Sequence, residues 1–204
     1  MKFQSINNWI NESKKETPLY GVVTLSTKID DWEANHLGGI IEKDIYIQGN
    51  NDAYGLEEDP HITLLWGIHE EEIDPTVIAD AIEQKLKSLT VTISEISIFE
   101  GEKYDVVKYN IPVSETLLKY RNLFLESFNN TQTYNSYSPH MTIAYVKPGL
   151  GKKYKKILNE PFEVTFTKGI YSYHNQDPKE HNLIRKVVNL ETKKEKTNES
   201  LNEE

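Results

Sequence analysis

The 204-residue chain contains no cysteine. That single absence removes disulfides, a cysteine nucleophile, iron–sulfur clusters with cysteine ligands and thiolate zinc sites. No run approaches the roughly 20 apolar residues needed to cross a bilayer. The opening MKFQSINNWINESKK lacks the apolar stretch of a signal peptide. The expectation is a soluble, cytoplasmic protein with no membrane partner. Positive charge is also in short supply: 23 Lys and Arg stand against 32 Asp and Glu, a net charge of −9. Proteins that grip a long duplex usually present a basic face, so extended nucleic acid is a poor partner. A small anion in one local pocket is still compatible, because net charge says little about a single cleft.

What is present suffices for a globular core. Hydrophobic residues make up 37% of the chain and aromatics 10%, and the length suits one domain or two small lobes sharing a core. A short amphipathic helix is expected at Ser5–Lys15, then a β-rich run at Leu19–Ser26 and a second helix beginning at Asp30–Asn35. KDIYIQ alternates like a strand, and GNNDAYGLEEDP reads as loop. Strands are expected at His61–Ile68, Thr90–Glu100 and Asp105–Pro112. Asp74-Pro75 is an N-cap with proline at the first helical position of the helix TVIADAIEQKLKSL. Ser114 caps a second helix without a capping box, since Leu117 stands where the box wants Glu or Gln.

Beyond the polar loop NNTQTYNSYS, a strand is expected at His140–Val146 and a short helix at Lys152–Leu158. Two final strands follow at Phe162–Tyr173 and Leu183–Leu190. This order lacks βαβ alternation, so the class is α+β, with two lobes of similar make-up. Residues 1–190 are expected to form one bilobal domain, and 191–204 a charged, disordered tail.

The chemistry is carried by a repeat. Asp59–Gly67 reads DPHITLLWG and Ser138–Val146 reads SPHMTIAYV. Pro, His and Thr match in register, and Ile62, Leu64 and Trp66 match Met141, Ile143 and Tyr145 in kind. Two bare His-x-Ser/Thr tripeptides arise by chance roughly one time in five at this composition, so the shared proline, alternation and aromatic carry the signal. In a strand, residues i and i+2 share a face. His61 then points with Thr63, and His140 with Thr142, while Trp66 and Tyr145 fall on the opposite, core-facing side with the other bulky residues.

Two imidazoles facing one phosphate act as general base and general acid, because an ordinary histidine pKa of about 6.5 leaves both forms available near neutrality. One takes the proton of the attacking hydroxyl or water; the other protonates the leaving oxygen. The threonine hydroxyls donate to non-bridging oxygens, where negative charge builds. This scheme needs no cofactor, and the sequence offers no metal-ligand cluster. It predicts a bell-shaped dependence of rate on pH.

The two motifs, His61-Ile62-Thr63 and His140-Met141-Thr142, resemble those of the 2H phosphoesterase superfamily. The resemblance spans roughly Leu19 to Leu190, though only the motif strands match specifically. It implies two pseudo-symmetric lobes of antiparallel sheet with flanking helices around a central cleft. It also implies His61 and His140 as the acid–base pair, with Thr63 and Thr142 holding the phosphate of a small anionic nucleotide. Such substrates are cyclic di- or trinucleotides, or RNA ends. Within the superfamily, PHITLLWG and SPHMTIAYVKPG look most like the phage anti-CBASS phosphodiesterases, which destroy cyclic oligonucleotide signals in the host cytoplasm. The alternatives are a 2′,3′-cyclic phosphodiesterase of RNA processing and a cyclic-nucleotide sponge without catalysis. Gly38–Asp59 has no counterpart in the resembled pattern and stands to reshape the cleft mouth.

Tyr20, Tyr173 and His174 are the further candidate substrate-binding residues. His36, His69 and His181 sit in polar surroundings and read as surface. Lys108 and Lys147 could help hold an anion, though a solvated lysine is the commoner explanation of each, and the acidic runs EEDP and HEEEID read as solvated loop.

Overall fold

The computed structural model describes residues 19–30, 32–37, 39–48, 54–131, 136–175 and 183–190. The expected helix at Ser5–Lys15, His181 and the tail 191–204 lie outside the described residues. Eight named strands form two antiparallel four-stranded sheets. The first lobe holds β1 (Tyr20–Ser26), β2 (His61–His69), β7 (Lys168–His174) and β8 (Leu183–Asn189), in the order β2-β1-β7-β8. The second holds β3 (Leu89–Phe99), β4 (Asp105–Asn110), β5 (His140–Val146) and β6 (Lys156–Phe166), in the order β5-β4-β3-β6. The α+β, two-sheet class read from the sequence is the observed one.

Each helix follows from local chemistry. Helix α1 (Pro75–Lys85) starts where the Asp74 carboxylate accepts the Thr76 amide at 2.8 Å, and Pro75 occupies a position that needs no donor. Its Ile78 and Ile82 are fully buried, and Ile82 lies against Gly169 of β7, where a Cβ would come within 2.3 Å. Helix α2 (Glu115–Ser127) starts where Ser114 Oγ accepts the Leu117 amide at 3.1 Å. It crosses to pack on β2 of the other lobe, and the helical turn Glu33–Leu37 reciprocates by packing on β5. The helical segment that leads into the motif strand of each lobe thus braces the motif strand of its neighbour.

Three expectations are corrected. Phe162–Tyr173 is two strands, not one: β6 ends at Phe166 in the second sheet and β7 begins at Lys168 in the first. Thr167 makes the crossing, with its amide bonded to Ser26 O at 3.2 Å and its carbonyl to the Leu190 amide at 2.8 Å. In place of a helix at Lys152–Leu158 there is one tight turn, Gly151–Tyr154, before β6. KDIYIQ forms no strand of a sheet. It is a short turn, Glu42–Asp44, followed by a bridge from Ile45 to Val146 on the edge of β5.

That edge is covered further by Leu56 bridging Ala144, while Asn130 bridges Ile68 on the edge of β2. The segment preceding each motif strand therefore pairs with the motif strand of the other lobe. Gly67 serves this crossing: its φ is +86°, and a Cβ there would meet Thr131 O at 2.7 Å. Among the described residues, no helix is long and apolar enough to cross a membrane.

Candidate active site

The motif strands β2 and β5 are the first strands of their sheets and lie against each other. The Tyr137 hydroxyl reaches across from the approach to β5 and donates to Thr63 O at 3.0 Å. Both histidines are anchored alike. His61 Nδ1 is 2.7 Å from Asp59 O, and His140 Nδ1 is 2.9 Å from Ser138 O. A carbonyl only accepts, so each Nδ1 carries a proton and each Nε2 is left for chemistry. The intervening prolines have no amide to compete, and their carbonyls are tied to Thr27 N (3.3 Å) and Ile111 N (3.2 Å). The local sequence D/S-P-H thus fixes both the tautomer and the aim of the ring.

A second duplicated feature lies three residues past each histidine. The β1–β2 register runs Thr24↔Thr63 and then Val23↔Leu65, skipping Leu64. The β4–β5 register runs Lys108↔Thr142 and then Val107↔Ala144, skipping Ile143. Each skip is a β-bulge, which turns two successive residues to one side of the sheet. Leu64 with Leu65, and Ile143 with Ala144, are buried together in the main core.

Strand alternation alone therefore misassigns the positions that follow. Trp66 lies opposite Val22 and Tyr145 opposite Val106, which puts both aromatics on the His/Thr face rather than in the core. Tyr145 accordingly belongs to a separate cluster with Tyr54, Tyr104 and Val106, joined by Tyr46 and Phe99. Burial, and then the neighbouring Glu57, raise its phenol pKa, while its hydrogen bond with Thr142 opposes the rise. The Gly38–Asp59 segment supplies Tyr46 and Tyr54 to this cluster, so it builds the wall beside the second motif.

The surroundings of the two histidines differ. In the first lobe, Ser26 pairs with His61 and Thr24 with Thr63. Asp59 accepts a bond from Ser26 Oγ at 3.2 Å and from Arg185 at 2.7 Å. In the second lobe, Asn110 pairs with His140 and Lys108 with Thr142. His140 packs edge-on against Phe99, with ring centroids 4.9 Å apart. Burial pulls the His140 pKa down to about 4; the carbonyl of Ser138 opposes this, and the charges of Lys108 and His61 add to the lowering. His61 and His140 therefore sense each other across the junction.

The other candidates fall elsewhere. Tyr20 stacks on Trp66 (5.9 Å, 19° between planes) and lies 5.5 Å from the His69 ring, on the His/Thr side of β1 but at the far end from His61. Tyr173 lies on the opposite face of the sheet. It stacks on Tyr171 at 5.1 Å and lines a groove with Glu70, Asp74, Pro75 and Ile184. His174 is buried, with Nδ1 3.0 Å from Glu70, whose other oxygen takes the His174 amide at 2.9 Å. Neither Tyr173 nor His174 is brought to the two motifs, and Glu70 of the acidic run HEEEID is core rather than solvated loop.

His36 is likewise not a surface residue: it stacks on Trp32 at 4.7 Å, contacts the Tyr109 hydroxyl at 2.7 Å, and burial lowers its pKa. His69 is half-buried against Thr131 at 2.8 Å. Lys147 stays at the surface, donating to Lys43 O, whereas Lys108 is only 3% exposed.

Sequence reasoning weighed Lys108 as an anion contact but preferred a solvated lysine, and it missed Asn110, Asp59 and Arg185 and the face of Trp66 and Tyr145. One signal was present for the aromatics: the adjacent apolar pairs Leu64-Leu65 and Ile143-Ala144 interrupt strict alternation. Among the described residues no three His, Asp or Glu side chains gather as a metal site.

Two anchored imidazoles, each followed two residues on by a threonine, stand on facing strands and make up the candidate site. Residues 30–169 match the 2′-5′ RNA ligase superfamily, and the chain belongs to that family. The fold is that of LigT from E. coli. The chain is 13% identical to LigT solved with 3′-AMP, covering 85% of this chain and 99% of that one with a TM-score of 0.53. It is 13% identical to apo LigT, covering 86% and 99% with a TM-score of 0.50. No curated protein sequence matches the chain at a significant level.

Proposed function

We propose that the chain is a phosphodiesterase that cleaves a nucleotide phosphodiester, with a cyclic di- or trinucleotide defence signal as substrate. The observation that carries the catalytic part is the matched anchoring of His61 and His140, each with Nδ1 on the carbonyl two residues back. In this reading His140 is the base. Its low pKa keeps Nε2 unprotonated at neutral pH, ready to take the proton of the attacking hydroxyl or water. His61 is then the acid, giving its Nε2 proton to the leaving oxygen as the P–O bond breaks. Thr63 and Thr142 donate to the non-bridging oxygens throughout. Attack by an internal 2′-hydroxyl leaves a 2′,3′-cyclic phosphate; attack by water leaves a linear monophosphate.

The cyclic-oligonucleotide part rests on the likeness of PHITLLWG and SPHMTIAYVKPG to anti-CBASS enzymes. Aromatic walls on both lobes, Trp66 with Tyr20 and the Tyr145 cluster, add support, because a substrate with a base on each side of the scissile phosphate has a ring to meet in each direction. The RNA-end reading has one observation in its favour: LigT, which shares the fold, has been solved with 3′-AMP.

The test is incubation with cyclic di- and trinucleotides, 2′,3′-cyclic AMP and a short RNA in EDTA, read by mass spectrometry. His61→Ala and His140→Ala serve as controls. Cleavage of cyclic oligonucleotides by the wild type alone supports the proposal. Cleavage confined to 2′,3′-cyclic AMP or RNA ends moves the substrate to RNA processing. Intact ligand carried through purification makes the protein a sponge.

A further inference from the structure

The second motif has a neighbour with no role so far. Lys108 stands on β4 directly across from Thr142, on the face that carries His140, and is 3% exposed. A buried lysine is costly unless its charge is met. Its Nζ donates to Ser97 Oγ at 2.8 Å and to Asn110 Oδ1 at 2.5 Å, and sits 4.1 Å above the Phe99 ring. Asn110 in turn donates to Glu95 at 2.7 Å. These are neutral acceptors and a ring face; the carboxylate is held one residue away, behind Asn110. The ammonium is therefore positioned by hydrogen bonds without being neutralised by a direct ion pair. Phe99 presents one ring to both the ammonium and the imidazole of His140.

The first lobe offers an internal control. The position that answers to Lys108 there is Thr24, opposite Thr63, and the position that answers to Asn110 is Ser26, opposite His61. Arg185 reaches that side, but its charge is spent directly on Asp59 at 2.7 Å. The second half-site thus holds a cation that no carboxylate touches among the described residues, in a protein whose net charge is −9.

We infer that Lys108 is a substrate-contacting residue: its ammonium meets the non-bridging oxygens of the scissile phosphate beside Thr142, and the Ser97–Asn110–Glu95 network positions it. The inference deepens the phosphodiesterase reading and rests on it for the word scissile; the anion site itself stands apart from turnover. Lys108 stays protonated throughout and transfers no proton. Burial lowers its pKa to about 8, with the Glu95 charge opposing the fall, so the ammonium is the main form at neutral pH. The titratable groups that face it and His140 are Glu95 from β3 and His61 from β2, and a bound phosphate adds its own charge. By placing a positive charge near His140, Lys108 also favours the neutral imidazole that a base requires.

The test compares the full-length wild type with Lys108→Met and Lys108→Arg by three readouts. These are the affinity for inorganic phosphate, the His140 pKa by NMR, and kcat and KM on the nucleotide that the wild type cleaves. The expectation for Lys108→Met, folded by circular dichroism and melting, is phosphate affinity down at least tenfold, a higher His140 pKa and kcat down roughly 10²-fold, the cost of losing one preorganised donor. Lys108→Arg keeps the charge and should retain phosphate binding within a few-fold. It carries the test if the Met variant does not fold, and loss of phosphate binding in a folded Arg variant with unchanged His140 titration then overturns the inference.

A folded Lys108→Met with unchanged phosphate affinity and kcat overturns it as well. So does a wild type that binds no phosphate, because Lys108 is then only a satisfied core lysine. If the wild type binds phosphate through Lys108 but cleaves no nucleotide, the catalytic reading fails and the anion site survives.

Discussion

The two lobes use one frame and dress it differently. In each, a D/S-P-H turn aims an imidazole through its Nδ1, a threonine follows two residues on, and a bulge turns the next two residues into the core. Across from these residues the first lobe places Ser26 and Thr24, and the second Asn110 and Lys108. The first histidine sits near an ion pair that is already closed, Arg185 with Asp59; the second sits near a cation held by neutral groups. The repeat therefore gives both rings the same anchoring, and the partner strands give them different surroundings. In the second lobe, burial and then the Lys108 charge lower the His140 pKa, with the Ser138 carbonyl opposing.

The sharpest way to break the comparison is to delete either ring. His61→Ala and His140→Ala should each lower kcat by roughly 10²- to 10⁴-fold, the usual worth of a general acid or base, with melting temperature little changed. If one variant keeps activity within tenfold, the two motifs do not share the work.

Removing the hydroxyls comes next: Thr63→Val and Thr142→Val should cost about 10- to 100-fold in kcat. Steady-state kinetics on both will show whether the lobes contribute alike.

A smaller effect is expected from Arg185→Gln. An exposed ion pair adds little stability, but Asp59 also supplies the carbonyl that orients His61. A fall in kcat of roughly 5- to 10-fold with KM unchanged is expected from that misalignment, partly restored by Arg185→Lys. A change in KM alone would assign Arg185 to binding instead.

The mildest test is titration. An unfolded histidine titrates near 6.5, whereas folded His140 takes its proton only near pH 4. Between these values the unfolded chain binds more protons, so His140 makes stability fall as pH drops from about 6.5 towards 4. His140→Ala should remove that part of the slope in urea midpoints measured across the window. The same low pKa places the acid limb of kcat/KM below about pH 5; an acid limb near 6.5 would contradict it.

Much of this was written locally. Strand β5 has the bounds expected from His140–Val146, the caps Asp74 and Ser114 begin their helices, and the paired Pro-His-x-Thr anchors both rings alike, because each depends on neighbours in the chain. Alternation also predicts correctly that each histidine and its threonine share a face, since the bulge comes only afterwards.

What failed depends on contacts distant in sequence. One strand became two because Phe166 pairs with Leu89 and Lys168 with Ser26, in different sheets. Trp66 and Tyr145 changed face because register with β1 and β4 admits one extra residue in each motif strand. Lys108 reads as an ordinary lysine in its own strand until β3 brings Ser97 and Phe99 against it and β5 brings His140. The sequence by itself determined which residues make up the candidate site and how each imidazole is anchored, since those bonds span two residues. Only the tertiary structure decided what surrounds them, because strand pairing and burial set the electrostatics of a side chain from residues tens of positions away.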